Sequence, residues 1–188
     1  MSQTTDSEIA TVHIQLAPEM TQTPDLHAVQ AAFESCLRAL VGNLGSAQTP
    51  ALTPAPTRVL SGEICVRLCA QAESQSLNQE YRKRDNPTNV LSFAALDPEV
   101  ALPNVEQGMP AMPLGDLAIC WPIVQGEAAE QGKESLNHLI HLFLHGVLHL
   151  LGFDHEADSE AKVMEAIECR TLAVVGIANP YATEVKSA

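Results

Sequence analysis

The segment HLFLHGVLHLLGFDH, residues 141–155, sets four imidazoles, His141, His145, His149 and His155, in a run otherwise built mainly from Leu, Phe, Val and Gly. On a helix at about 100° per residue, His138, His141, His145 and His149 fall within an arc of about 80°, and Leu and Val take the other faces. His145 and His149 are one turn apart, so their Cβ atoms lie about 5–6 Å from each other and two ring nitrogens can converge on one ion at about 2.0–2.1 Å. A third ligand must come from outside the helix, which requires the chain to stop and turn back. Gly152 can take the left-handed conformation that ends a helix, and His155 follows three residues later. The spacing H-x3-H-x2-G-x2-H therefore predicts a metal site on His145, His149 and His155. His141 and His145 are also four apart, but His141 lies a turn further from Gly152. It is expected to orient a ligand or line the cleft, not to bind the ion.

Three protein ligands leave a fourth tetrahedral position for water or substrate, whereas structural zinc sites are normally filled by the protein, so the pattern points to catalysis. An all-imidazole set suits zinc, and also nickel, copper or iron. The layout coincides with the zinc-protease motif H-E-x-x-H-x-x-G-x-x-H at all three histidines and the glycine, but Gly146 stands where that motif has its general-base Glu. Glycine has no side chain to take a proton, and Asp154 lies beside the third histidine, off the required helix face. A zinc peptidase is therefore the minor reading. A zinc ion can still lower the pKa of water by roughly 9 units in the best case, which suits a substrate that arrives with negative charge and oxygen ligands of its own. A phosphodiester meets that description.

The elements that must position these groups follow from periodicity. IATVHIQL (residues 9–16) alternates like a strand, and PDLHAVQAAFESCLRALVG carries apolar residues at helical spacing up to Gly42. Strands are expected again at residues 62–69, 89–96 and 114–121. A short helix is expected over ESQSLNQEYRKR, a long one from about Glu134 to Leu151, and a last one over residues 158–175 with Asp158 or Ser159 as its N-cap. Strands and helices intermingle without strict β-α-β alternation. The fold class is thus α+β: a single compact domain with a mixed sheet of about four strands packed with helices, the metal site lying on a buried histidine-bearing helix. Residues 1–188 are read as one metal-dependent hydrolase domain, with Pro-rich loops at 43–58 and 98–113 and a C-terminal tail at 176–188.

A chain of 188 residues with 46% hydrophobic and 18% charged residues can bury a core without metal or disulfide staples. Its five cysteines form no C-x-x-C pair, which fits a reducing, cytoplasmic setting. Cys65 and Cys69 alternate on one strand, roughly 13 Å apart, and cannot share a bond there. The N-terminus has neither the basic nor the apolar region of a signal peptide, and no transmembrane helix is expected. A net charge of −13 argues against a protein that coats itself in nucleic acid, so any polyanion contact must be local. The local basic cluster is Arg82, Lys83 and Arg84.

HGVLHLLGFDH, together with LNQEYRKRDNPTNVLSF (77–93) and LGDLAI (114–119), resembles the YbeY family of metal-dependent endoribonucleases, the bacterial rRNA maturation factors. The resemblance covers roughly residues 60–175. It implies a fold distantly related to the metalloproteases, a zinc-type ion on His145, His149 and His155, and cleavage of single-stranded RNA. It further implies a role in maturing the 3′ end of 16S rRNA and in ribosome quality control, with ribosomal or small-subunit protein partners and neither DNA nor membrane. The family's functional arginine corresponds to Arg82, whose planar guanidinium can hold a phosphate through two hydrogen bonds. A ribosome-assembly factor with a mainly structural metal and partner-dependent cleavage is the alternative. Metal-bound histidines usually donate their second N–H to a carboxylate or carbonyl, a task open to Asp116 or Asp154, and Ser92 is expected near the cleft.

Overall fold

Period-two alternation in EICVRLC builds the central strand. Ile64, Val66 and Leu68 are fully buried on one face, while Cys65 and Arg67 stay half exposed on the other. The structure is a computed structural model and describes residues 9–44, 60–95 and 113–182. Its elements are β1 (Thr11–Leu16), α1 (Leu26–Leu44), β2 (Glu63–Cys69), α2 (Gln71–Arg82), β3 (Val90–Ala94), β4 (Pro113–Cys120), α3 (Trp121–Glu130), α4 (Ser135–Leu150) and α5 (Asp158–Val174). The four strands form one sheet in the order β1-β2-β4-β3. The first three are parallel, so they need crossovers, which α1 and α2 help to supply; β3 runs antiparallel to β4 at the edge. This is the expected α+β fold with a mixed four-stranded sheet.

Helix α4 fills the space between the sheet's β3–β4 side and helices α1, α3 and α5. Ten of its sixteen residues are buried, which follows from a sequence that is apolar on every face but the histidine stripe. Phe143 stacks on Phe33 of α1 with ring centroids 3.9 Å apart. On the sheet side, Gly146 sits against β4 and β3. A Cβ there would lie 2.8 Å from Leu117 Cδ2 and 3.2 Å from Ser92 Oγ. The glycine after His145 is thus a close-packing residue that lets the histidine-bearing helix press onto the sheet.

Several expected boundaries shift. Helix α3 was not anticipated; it starts directly from β4 with Pro122 in its first turn, where a missing N–H costs nothing. Helix α1 continues past Gly42 to Leu44. The cap of α5 is Ala157 instead of Asp158 or Ser159, and its N–H reaches Glu160 Oε2 at 3.4 Å. The Pro-rich loops fall largely outside the described residues, although Pro113 opens β4. The start of the expected tail is packed against the domain: Ile177 N–H donates to Leu172 O at 2.9 Å, and Lys133 Nζ to Pro180 O at 3.0 Å. The cysteines are free thiols. Among the described residues, no helix is long and apolar enough to cross a membrane.

Candidate metal centre

The end of α4 is built by its last four residues and the turn that follows. Gly152, at φ 90°, sends its N–H to His149 O (3.0 Å), and Phe153 N–H returns to Leu148 O (3.0 Å), the double bond pattern of a helix closed by a left-handed residue. That turn delivers two things to the site. It brings His155 back alongside the helix, and it aims Phe153 O at His149 Nδ1, 3.1 Å away. The side chains of His145, His149 and His155 then offer one nitrogen each within 4.8 Å of one another. His149 and His145 rings are 4.7 Å apart and His149 and His155 rings 5.0 Å, so the three imidazoles surround one point.

The hydrogen bonds identify which nitrogens face that point. A carbonyl can only accept, so His149 Nδ1 carries the proton that goes to Phe153 O. His145 Nδ1 likewise meets Glu168 Oε1 at 2.9 Å. Both Nε2 atoms are then lone pairs, and they face each other at 3.1 Å. Two lone pairs at that separation repel unless a cation joins them. A tetrahedral ion with bonds of about 2.05 Å holds its ligand nitrogens roughly 3.3 Å apart. The cluster therefore fits a metal ion: the donor set, the tautomers and the spacing agree.

Among the described residues the carboxylate that meets a ligand ring is Glu168, which sequence reading missed. Asp154 Oδ1 accepts the N–H of His155 at 2.7 Å, a turn-forming role, and Asp116 is exposed on β4 without a histidine partner. Glu168 is fully buried on α5; its Oε2 accepts from Tyr181 Oη–H and lies 3.2 Å from His141 Nε2. His141 thus stands beside the cluster and shares its carboxylate. A pocket of about 210 Å³ opens against the centre, lined by His145, His155, Met164, Glu165, Glu168 and Tyr181. Ser92 lies on β3 beside Gly146, one residue from His145.

A family profile described as Endoribonuclease YbeY matches residues 21–176. The chain belongs to this family. The Endoribonuclease YbeY of Acinetobacter baumannii is 43% identical over 161 residues, covering 85% of this chain and 92% of that protein. The Endoribonuclease YbeY of Alkalilimnicola ehrlichii is 53% identical over 118 residues, 63% of this chain and 68% of its own length. The solution structure of TM1509 from Thermotoga maritima shares the fold at a TM-score of 0.51 and 20% identity, over 94% of this chain and 99% of that one. The YbeY-type motif blocks gather around α4: Tyr81, beside Arg82, packs edge-on against Phe93 with centroids 4.9 Å apart, and Phe93 follows Ser92 on β3. Arg82 itself is exposed at the end of α2 and pairs with no carboxylate among the described residues.

Electrostatics keeps the His149 ring neutral and the Glu168 carboxylate behind the cluster charged. Burial, reinforced by His145 and His155, pushes the His149 ring down from 6.5 to about 4. Burial would raise Glu168, but hydrogen bonds with His141, His145 and Tyr181 outweigh it and bring the carboxyl from 4.5 to about 2. For His149 the unfolded chain binds the extra proton between pH 6.5 and about 4, so stability present above that window is lost as pH falls through it. For Glu168 the stability is present above 4.5 and disappears as pH falls towards 2. Melting temperatures of metal-stripped protein are expected to fall in two successive stages on acidification. His149→Gln should shrink the upper stage, to which buried His138 also contributes, and leave the lower; a flat wild-type profile in the upper window would rule this out.

Proposed function

We propose that this protein is a metal-dependent endoribonuclease specific for single-stranded RNA, acting in 16S rRNA 3′-end maturation and ribosome quality control in the cytoplasm. The observation that carries the proposal is the convergence of His145, His149 and His155 beside an open pocket in a chain of the YbeY family. Relatives named Endoribonuclease YbeY support the RNA substrate. Zinc suits the three imidazoles and the open fourth position. A divalent ion held by His145, His149 and His155 would supply Lewis acidity towards a phosphodiester oxygen and would lower the pKa of a water at the site.

The chain's own groups do the rest. Phe153 O and Glu168 hold the two helix-borne imidazoles with Nε2 forward. The exposed Arg82 guanidinium clamps the phosphate and stabilises charge that develops on it. Arg82, Lys83 and Arg84, all exposed at the end of α2, attract a polyanion to one place on a chain of net charge −13. With Gly146 packed against Leu117, no side chain enters the site from that position, which speaks against the peptidase reading.

The test is cleavage of single-stranded RNA, alongside the same RNA as a duplex. Wild type with bound metal is expected to cut the single strand preferentially, and Arg82→Ala to cut about 100-fold more slowly with unchanged metal content. No cleavage by the loaded wild type would overturn the nuclease reading. Undiminished cleavage by Arg82→Ala would remove Arg82 from the machinery. Cleavage of precursor 16S rRNA in small-subunit particles tests the ribosomal role directly.

A further inference from the structure

We propose that Glu168 is a positioning residue of the metal centre: it fixes which ring nitrogen His145 presents to the ion, and His141 and Tyr181 hold it in place for that task. The inference rests on reading the three-histidine cluster as a metal site. It starts from a conflict in the sequence of α5. Met164, Ile167, Glu168, Thr171 and Leu172 are its buried residues, an i, i+3, i+4, i+7, i+8 stripe that faces the core. A carboxylate in the middle of such a stripe is expensive unless every lone pair is engaged, and a Leu or Met there would pack without that cost.

Glu168 is fully buried, and both its oxygens are committed. Oε1 takes the Nδ1–H of His145 at 2.9 Å; Oε2 takes the Tyr181 hydroxyl and faces His141 Nε2 at 3.2 Å. The oxygen turned to His145 can only accept, so the Nδ1–H tautomer is enforced and Nε2 is left as the lone pair at the cluster. The other oxygen is occupied from two sides, which keeps the carboxylate from rotating out of line or reaching the ion itself. His149 obtains the same tautomer from a backbone carbonyl, Phe153 O, whereas His145 depends on a side chain 23 residues away. Tyr181 arrives from the segment after α5, so that segment is part of the support of the site and not a free end.

The experiment uses the full chain and three readouts. Long-range ¹H–¹⁵N imidazole spectra of the metal-free wild type at mildly alkaline pH should show His145 with its proton on Nδ1. A proton on Nε2 would overturn the proposal without any variant. Glu168→Gln should bind Co²⁺ and Zn²⁺ about 10- to 100-fold more weakly by chelator competition. Its His145 should become a tautomer mixture while His149 stays as it was. Tyr181→Phe keeps the carboxylate and is expected to show a smaller loss in the same direction, with a shifted visible Co²⁺ spectrum. Glu168→Gln with wild-type affinity, or with weaker affinity and an unchanged His145 tautomer, would reduce Glu168 to a packing residue. If Glu168→Gln does not fold, Tyr181→Phe decides: wild-type Co²⁺ affinity and spectrum overturn the support assigned to it. A wild type that binds neither ion defeats the metal reading itself, a different failure.

Discussion

His149→Ala is expected to release the bound ion and to lower RNA cleavage about 100- to 1,000-fold. Structural zinc sites with four ligands bind with roughly 10–16 kcal/mol, so one ligand carries about 3–4 kcal/mol, which is that range in affinity. The position is the most damaging of the three because His149 is central. Its Nε2 lies 3.1 Å from that of His145, its ring is 5.0 Å from that of His155, and its Nδ1 is tied to the turn that brings His155 back. The two imidazoles left behind would include His155, an exposed loop residue with few restraints. The fold should survive, since a metal-free His149 is a half-buried neutral ring whose loss removes little packing. Metal content after dialysis, cleavage of single-stranded RNA and melting of the metal-stripped protein, measured together, separate these effects. One ion per chain and undiminished cleavage would refute the ligand assignment. His155→Ala gives an independent check at a site that barely touches the core.

The difference between the two ligand histidines on α4 and the carboxylate behind them explains what sequence could reveal. His145, His149, Gly152 and His155 lie within eleven residues, and helix geometry converts that spacing into a shared point. Local rules sufficed, and the structure brings the three rings together. Glu168 is 23 residues from His145, on another helix, and its partnership depends on how α5 crosses α4. A sign was present nonetheless: a Glu at 168 on the stripe Met164, Ile167, Thr171, Leu172 is a polar residue on a core-facing line. Asp154 and Asp116 were the nearer carboxylates in the motif blocks, but nearness in sequence did not give contact. Helix α3 escaped for a physical reason too. WPIVQGEAAE has little amphipathic periodicity and follows β4 without a loop or a capping side chain, so Pro122 alone marked its start. Strands β1 and β2 were legible because they alternate over one buried face, and β3 and β4 because they are short apolar runs, while Tyr181 in the C-terminal segment carried no local pattern at all.

Gly146→Glu, which restores the general base of the protease motif, is expected to destabilise the protein by several kcal/mol and to create no peptidase. Sequence reasoning treats Gly146 as the absence of a base; packing adds a second reason for it. The first side-chain carbon would stand 2.8 Å from Leu117 Cδ2 and 3.2 Å from Ser92 Oγ, and Leu117 is itself 1% exposed with little room to move. Gly146→Ala isolates the steric part. Overpacking costs about 1–3 kcal/mol, and the gain in helix propensity returns about 1 kcal/mol, so a net loss of about 0–2 kcal/mol is expected. Glu adds a carboxylate forced towards Leu117 and the Ser92 hydroxyl, neither of which carries a positive charge, a penalty of several kcal/mol more. Combining Gly146→Ala with Leu117→Ala tests the contact itself: the cost of the alanine should shrink in the background where the clashing methyls are gone, a non-additivity expected of touching residues. Denaturant unfolding of the four proteins in that cycle supplies the numbers, and a peptidase assay on Gly146→Glu supplies the functional arm. A stable Gly146→Glu protein that cleaved peptides would mean that this position opens onto the ion and not onto the sheet. The expected failure instead ties the glycine to the tight seating of α4 on β4, because the residue standing where the protease motif has its Glu is also the one that lets the histidine-bearing helix approach the sheet.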